Sequence, residues 1–499
     1  MHTLDPRVFF PPVIFLLLTI GGSIVAPDSF LVITRETNQW IIHTFGWLFS
    51  TGTFFFILVV IGLYISPVGT IRIGGKHAVP MLNKWRWFAI TLTTTIATGI
   101  LFWGPAEPLY HLHSPPEGLG LEPSSVAAAT FSMSTMLMHW TITPYAMYTL
   151  AGLVFAISYY NNKQAFSLGA LLFPLLGKTA NTGISRVVDI ISLYGLVAGM
   201  AASLGTGMLS ISGGLETVLG ISSSSFLIAL IGLAIVITFI ISSATGLMKG
   251  IRMLSVMNTN AFIGLALFVC LTGPVLYMIN LSAEGFTDYL VHFFQRSLSL
   301  DAGIDQGWEG SWTIFYWANW LAWTPITALF LGRLARGYTV RQFIHFNLLL
   351  PSLFGGLWMM IFAGTSIHTD LQQTGALYQT MLDHGEEQVI FSILEGLPLG
   401  NVVSILFLFI MFISFVTAAD SNTSAMSGIS TKGVSPEHPE APFTIKAIWG
   451  VIIGSVALIM VTTAGTEGIK MISVLGGFPA LFLIISVGVG AVRMIIKGS

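Results

Sequence analysis

Charge is what this sequence has least of. Only 20 Lys and Arg and 22 Asp and Glu occur in 499 residues, or 8%, against roughly 25% in an ordinary soluble domain. A soluble protein of this length with so little charge would precipitate, so the chain reads as a polytopic membrane protein. Its 54% hydrophobic content and mean hydropathy of +0.82 agree. The net charge of −2 argues against a nucleic-acid partner. The one cysteine, Cys270, sits in an apolar run, which excludes an intrachain disulfide and a cysteine metal cluster. Catalytic signatures are missing as well: there is no HExxH, no GxxxxGKS or GxxxxGKT and no GxSxG. No covalent chemistry, and so no enzyme, is expected. Neither an attached soluble domain nor a low-complexity tail is expected from the sequence.

Apolar runs of spanning length do exist, near 8–26, 45–66, 88–110, 125–159, 187–211, 225–243, 258–281, 312–332, 343–367, 400–427, 443–463 and 471–495. The pattern predicts an all-α polytopic protein with twelve transmembrane helices. Only Arg7 precedes the first run and no small-residue cleavage site follows, so that run reads as a retained span rather than a signal peptide. The longest run, 125–159, must tilt or bend. Alternating the sides puts all but Arg35, Arg296 and Lys470 of the basic residues on one face, which is the cytoplasmic one with both termini inside. The acidic residues fall mostly on the outer side. Segments 284–299 and 385–396 are amphipathic there and are expected to lie along the membrane surface.

Aromatic residues are the informative surplus. The stretch WTIFYWANWLAW spaces Trp317, Trp320 and Trp323 along about one helix face. Such a cluster is either an interfacial belt or a set of π-faces for a cation without N–H donors. A second set at mid-span favours the cage. In MHWTITPYAMY, Trp140, Tyr145 and Tyr148 share a broad face, and Pro144 is expected to bend the helix between them.

Elsewhere, FWGPAEPLY is expected to break around Glu107 at Gly104, Pro105 and Pro108. Glu107 itself reads as a structural pair or cap, not as a proton carrier. The threonines of TLTTTIATG either bond back to their own helix or meet an ion or carboxylate where that helix unwinds. The polar patch FVTAADSNTSAMSGIS, with Thr417 and Asp420, suits either a hard-cation site or helix capping near the cytoplasmic interface. His139 reads as a hydrogen-bonded packing residue.

Together, WTIFYWANWLAW with GRLARGYTVRQF, HWTITPYAMY, FWGPAEPL and TAADSNT resemble, in order, the marked segments of the betaine/choline/carnitine transporter family. The resemblance implies a leucine-transporter-like 5+5 inverted repeat. Two peripheral N-terminal helices (1–86) would precede a first repeat of spans 3–7 (87–283), an outer amphipathic helix (284–310) and a second repeat of spans 8–12 (311–499). It implies a homotrimer in the cytoplasmic membrane, in contact with lipid, that carries a small onium solute by alternating access. The substrate residues would be Trp140, Tyr145, Tyr148, Trp317, Asn319, Trp320 and Trp323. Third-span backbone or threonine groups would meet a substrate carboxylate. The ion-binding positions would be Thr93, Ile96, Ser414, Thr417 and Ala418, with Na+ as coupling ion and no other cofactor.

The departures matter. Tyr145 stands where members often have Trp, and Asn319 interrupts a YWxWW pattern. Each change leaves room for a bulkier or more polar solute, a delocalised amidinium included. Thr95 and Ala97 replace third-span glycines, with Gly99 kept. Leu196 and Met200 stand where sodium-coupled members offer threonines, and Ala418 replaces a serine. Asn258 holds the place of an arginine that stands in for the cation in sodium-independent exchangers. At most one sodium site is expected, and sodium-independent exchange and proton coupling stay open. No long basic tail follows Lys497, so little activation by osmotic shock is expected.

Overall fold

A computed structural model describes residues 3–95, 99–178, 183–244, 247–300, 304–434 and 441–497. Apolar helices dominate it. Within a bilayer every backbone polar group must be satisfied inside its own segment, and a helix does this for any sequence apolar enough to enter. Among the described residues, nine helices are long and apolar enough to cross. A bent pair, α3 (Lys84–Thr95) and α4 (Gly99–His113), makes a tenth, with 55° between its arms.

The N-terminal helices α1 (Pro6–Val25) and α2 (Pro27–Ile65) lie at the edge, with α1 largely exposed. The 125–159 run divides at Thr141, whose φ of −122° and ψ of −114° separate α5 (Val126–Trp140) from α6 (Ile142–Ala156). The bend was expected at Pro144 and comes three residues earlier. A proline ring clashes with the carbonyl four residues before it and offers no N–H to it. The chain therefore turns directly after Trp140, whose carbonyl is released. Ser125 caps the start of α5 by accepting from Ala128 N–H at 3.1 Å.

Next come α7 (Gly183–Leu219), α8 (Ser225–Ala244) and α9 (Leu247–Thr272). The seventh span was expected over 258–281. It ends at Thr272 because Pro274 disfavours helical backbone at Gly273, and α10 (Val275–Ser297) starts afresh. The amphipathic segment expected at 284–299 is the second half of α10. After α10 follow α11 (Phe315–Leu334), entered through a π-helical turn at Gly310–Ile314, α12 (Val340–Gln372), α13 (Ala376–His384) and α14 (Glu387–Glu395). The last two elements are α15 (Gly400–Ile429) and α16 (Phe443–Lys497), the latter interrupted at Gly465 (φ 53°, ψ −138°) between two apolar halves.

The expected break at Gly104, Pro105 and Pro108 does not occur. Helix α4 runs through both prolines, and the bend falls between Thr95 and Gly99 instead. Neighbouring spans stabilise the proline-bearing turns, since Ser366 Oγ donates to the Pro105 carbonyl at 2.6 Å and Ser132 Oγ to the Pro108 carbonyl at 2.8 Å.

Contacts between loops gather alternate ends of the helices. Strand β1 (Thr3–Leu4) pairs antiparallel with β2 (Thr431–Lys432). Arg341 Nε donates to the Tyr64 carbonyl at 2.9 Å, and Arg72 donates to the Gly337 carbonyl at 2.7 Å. At the other end, Tyr110 OH donates to Glu386 at 2.8 Å, and Arg296 donates to Ser134 at 2.8 Å.

Candidate functional site

Helices α5, α6 and α11 meet at Trp320. Its indole is ringed edge to face by Trp140 (centroids 5.4 Å apart, planes at 78°), Tyr145 (5.8 Å, 62°) and Tyr148 (5.5 Å, 67°). All four rings are buried. Edge-to-face packing is a preferred geometry of aromatic quadrupoles, and Trp140, Tyr148 and Trp320 also line an adjoining space. That space is lined by Trp140, Tyr148, Asn319, Trp320, Trp323 and Ala418 among the residues singled out in the sequence. Thr94, Thr95, Gly99, Trp103, Ala202, Ser203, Thr206, Phe315 and Ile469 complete the wall. A second, smaller space shares Ser203, Trp323 and Ala418 with it and continues past Met200.

Local chain geometry makes this convergence possible. The break at Thr141 lets the Trp140 ring leave α5 at one angle while Tyr145 and Tyr148 leave α6 at another. Two glycines then close on Trp140. A Cβ on Gly99 would lie 2.9 Å from Trp140 Cη2, and a Cβ on Gly355 would lie 2.5 Å from the Trp140 carbonyl oxygen. Any side chain at either position would displace the ring or the backbone that carries it.

Trp317 does not line the space. It is buried edge-on against the His139 ring at 5.8 Å. Tyr145 packs on Trp320 but does not line the space either. Its hydroxyl, like Trp317 Nε1, has no hydrogen-bond partner among the described residues.

Of the five expected ion positions, Ile96 lies outside the described residues. Thr93 Oγ1 donates to the Ala89 carbonyl at 2.9 Å. Thr417 Oγ1 lies 3.0 Å from both the Ile413 and Ser414 carbonyls, and Ser414 Oγ is 2.7 Å from the Ile410 carbonyl. The back-bonding alternative thus holds for these hydroxyl protons. Asn258 Nδ2 of α9 donates to Ser414 Oγ at 2.8 Å, so the seventh-span amide reaches the tenth span at this point. Ala418 faces the central space.

The sequence underrated Glu107. Its carboxylate accepts at Oε1 from His111 Nε2 (3.1 Å) and His139 Nδ1 (2.7 Å), and at Oε2 from Trp140 Nε1 (2.8 Å) and Tyr316 OH (2.5 Å). His139 Nε2 lies 3.1 Å from Thr313 Oγ1. Glu107, His111 and His139 present three ligand atoms within 4.8 Å of one another. These direct hydrogen bonds already use both carboxylate oxygens, which is the geometry of a satisfied polar network. Tyr316, Trp103 and Phe315 were also missed as site residues. The available signal was a carboxylate and a histidine four apart on one helix, with Trp103 one turn before Glu107.

A profile described as "BCCT, betaine/carnitine/choline family transporter" matches residues 7–498. The chain belongs to this transporter family. An ectoine/hydroxyectoine transporter of Virgibacillus pantothenticus is 29% identical over 99% of this chain and 97% of its own length. A betaine/ectoine transporter of Corynebacterium glutamicum is 30% identical over 98% of this chain and 78% of its own. A high-affinity choline transport protein of Escherichia coli K12 is 29% identical, over 98% and 71%. A sodium-coupled sialic acid symporter, solved in a substrate-bound outward-open state, is 14% identical over 88% of this chain and 86% of that one, with a TM-score of 0.45. As a BCCT protein the chain is a multi-pass transporter of small solutes, not an enzyme.

Proposed function

We propose that this BCCT protein is a secondary active transporter whose substrate carries a quaternary ammonium or related onium head, of the betaine, choline, carnitine or sulfonium type. The observation that carries the reading is the single space bounded by Trp140, Tyr148 and Trp320. An onium group has no N–H to donate, so a site for it needs π-faces rather than acceptors, and a desolvated cation–π contact contributes about 2 kcal/mol or more. Tyr145 closes the cage behind Trp320. Thr94 and Thr95 line the same space, where hydroxyl and freed backbone groups would receive a substrate carboxylate.

The same reading includes twelve spans in a 5+5 inverted repeat. Two features support it. Gly465 divides the 55-residue α16 into two lengths that can each span. The first span of each proposed repeat is irregular beside the central space, through the Thr95–Gly99 bend in one case and the π-turn before α11 in the other. Broken helices facing a midplane site suit rocking of one bundle against the other. A homotrimer in the cytoplasmic membrane with both termini cytoplasmic belongs to this reading, and the distribution of basic residues supports the orientation.

Asn258 favours a particular form of coupling. Its amide donates to Ser414 Oγ, one of the oxygens a sodium ion would use. Sodium-independent exchange, or coupling to a single ion through Thr417 and backbone oxygens, follows. A second reading of the substrate, a delocalised amidinium solute, is favoured by Asn319 in the cavity wall.

Uptake into liposomes tests the proposal. Labelled glycine betaine, choline, carnitine and ectoine are offered with and without a sodium gradient and internal substrate. Saturable uptake of an onium solute, competed by its analogues, is expected. Uptake of ectoine alone would select the amidinium reading, and uptake of none would overturn both.

A further inference from the structure

Glu107 sits among four donors from three spans, and Glu107, Trp140, His111, His139 and Tyr316 are all buried. Burying a carboxylate in an apolar medium is costly unless hydrogen bonds compensate its charge. Evolution of a packing motif alone would not require a charge here, since apolar residues of similar volume fill such a space at lower cost. The arrangement therefore asks what the charge does.

Its bonds lead directly to the cage. The Trp140 indole donates to Oε2 at 2.8 Å. The Trp320 indole donates at 3.2 Å to the carbonyl of His139, whose imidazole in turn faces Oε1 at 2.7 Å. The carboxylate thus holds Trp140 directly, while Trp320 is held by the backbone of the neighbouring His139. The first bond also has an electronic consequence. An N–H that donates to an anion shifts electron density into the indole ring, and hydrogen bonds in a low-dielectric interior polarise one another. Cation–π attraction acts on that density.

We propose that Glu107 is a positioning residue for substrate recognition: it orients Trp140 and strengthens the attraction of its ring for an onium head through the Nε1–H···Oε2 bond. The proposal rests on the onium reading above and deepens it. Selectivity for a charged head over a neutral one of the same shape then depends on a residue that need not touch the substrate.

Titration calorimetry of the full-length protein in detergent tests this. The ligands are choline and glycine betaine, each beside its carbon isostere, in which a tert-butyl group replaces the trimethylammonium head. The wild type is expected to prefer both onium compounds, and equal binding of onium and isostere would defeat the onium reading itself. Glu107→Gln keeps the shape and an acceptor but removes the charge. It is expected to lose at least about tenfold in onium affinity, with the isosteres changed by less than about twofold, so that the preference collapses. A variant that keeps the wild-type preference overturns the inference and leaves the cage intact. Equal loss for onium and isostere also overturns it, by reducing Glu107 to a structural role. If the variant does not fold, nitrogen-15 NMR of the Trp140 indole in the wild type decides. A strongly deshielded N–H is expected, and the shift of an unbonded indole would overturn the proposal.

Discussion

Trp140 and Trp320 cross edge to face with ring centroids 5.4 Å apart, and neither indole N–H points into the space between them. The first is bound to Glu107 and the second to the His139 carbonyl. Both rings also line the central space, and with their N–H groups engaged elsewhere they suit recognition of a cation that cannot donate a hydrogen bond.

Removing either ring should weaken binding by about thirtyfold, corresponding to about 2 kcal/mol of lost cation–π attraction. Trp320→Ala is expected to be the more severe, because it also removes the edge contact with Tyr145 and Tyr148. Calorimetry with an onium solute checks this, and a Trp320→Ala protein with wild-type affinity would remove that ring from the site.

The two glycines around Trp140 should fail in different ways. At Gly99 the added methyl meets the far end of the indole, so Gly99→Ala should lower substrate affinity with little change in melting temperature. At Gly355 it meets a backbone carbonyl, which yields less readily. Overpacking of that kind costs about 1–3 kcal/mol, so Gly355→Ala should lower the melting temperature as well. Thermal unfolding and uptake measured side by side separate the two.

Sodium dependence should be at most first order. In the proposed coupling Leu196 and Met200 stand at the positions of a second ion site and offer it no side-chain oxygen, and the Ser414 oxygen accepts from Asn258. Initial uptake rates measured against sodium concentration give the order directly, and a second-order dependence would contradict this account. Asn258→Ala should leave Ser414 free and increase any sodium stimulation.

A carboxylate at the start of α14 should make stability depend on pH. Glu387, at the start of α14, is raised from 4.5 to about 7, first by burial and then by the neighbouring Glu386 and Glu216. The folded state therefore binds a proton that the unfolded chain has lost between these values. This contribution to stability is complete below about 4.5 and is lost as pH rises through about 7. Melting temperature should fall across that window in wild type, and Glu387→Gln should flatten the fall.

Much of this was legible in the sequence, for physical reasons. Spanning helices follow from long apolar runs because lipid admits few other backbones, and the aromatic residues that meet at Trp320 were visible because large aromatics at helical spacing stand out. The exact bends were not. Pro144 and Pro105 both suggested breaks at themselves, yet the chain turned before the first and ran straight through the second, where Ser366 and Ser132 of other helices stabilise the turn. Whether a proline breaks a span depends on neighbours that sequence spacing does not reveal. Glu107 was undervalued for the same reason. One partner, His111, is local, but His139, Trp140 and Tyr316 arrive from other spans, and only the fold brings them together.

The most direct test is a structure of the protein in lipid nanodiscs with a bound onium solute. The account predicts the onium nitrogen within about 6 Å of the Trp140, Tyr148 and Trp320 ring centroids, with Asn319 and Thr94 on the surrounding wall. A solute seated elsewhere, with those rings packed only against one another, would contradict it.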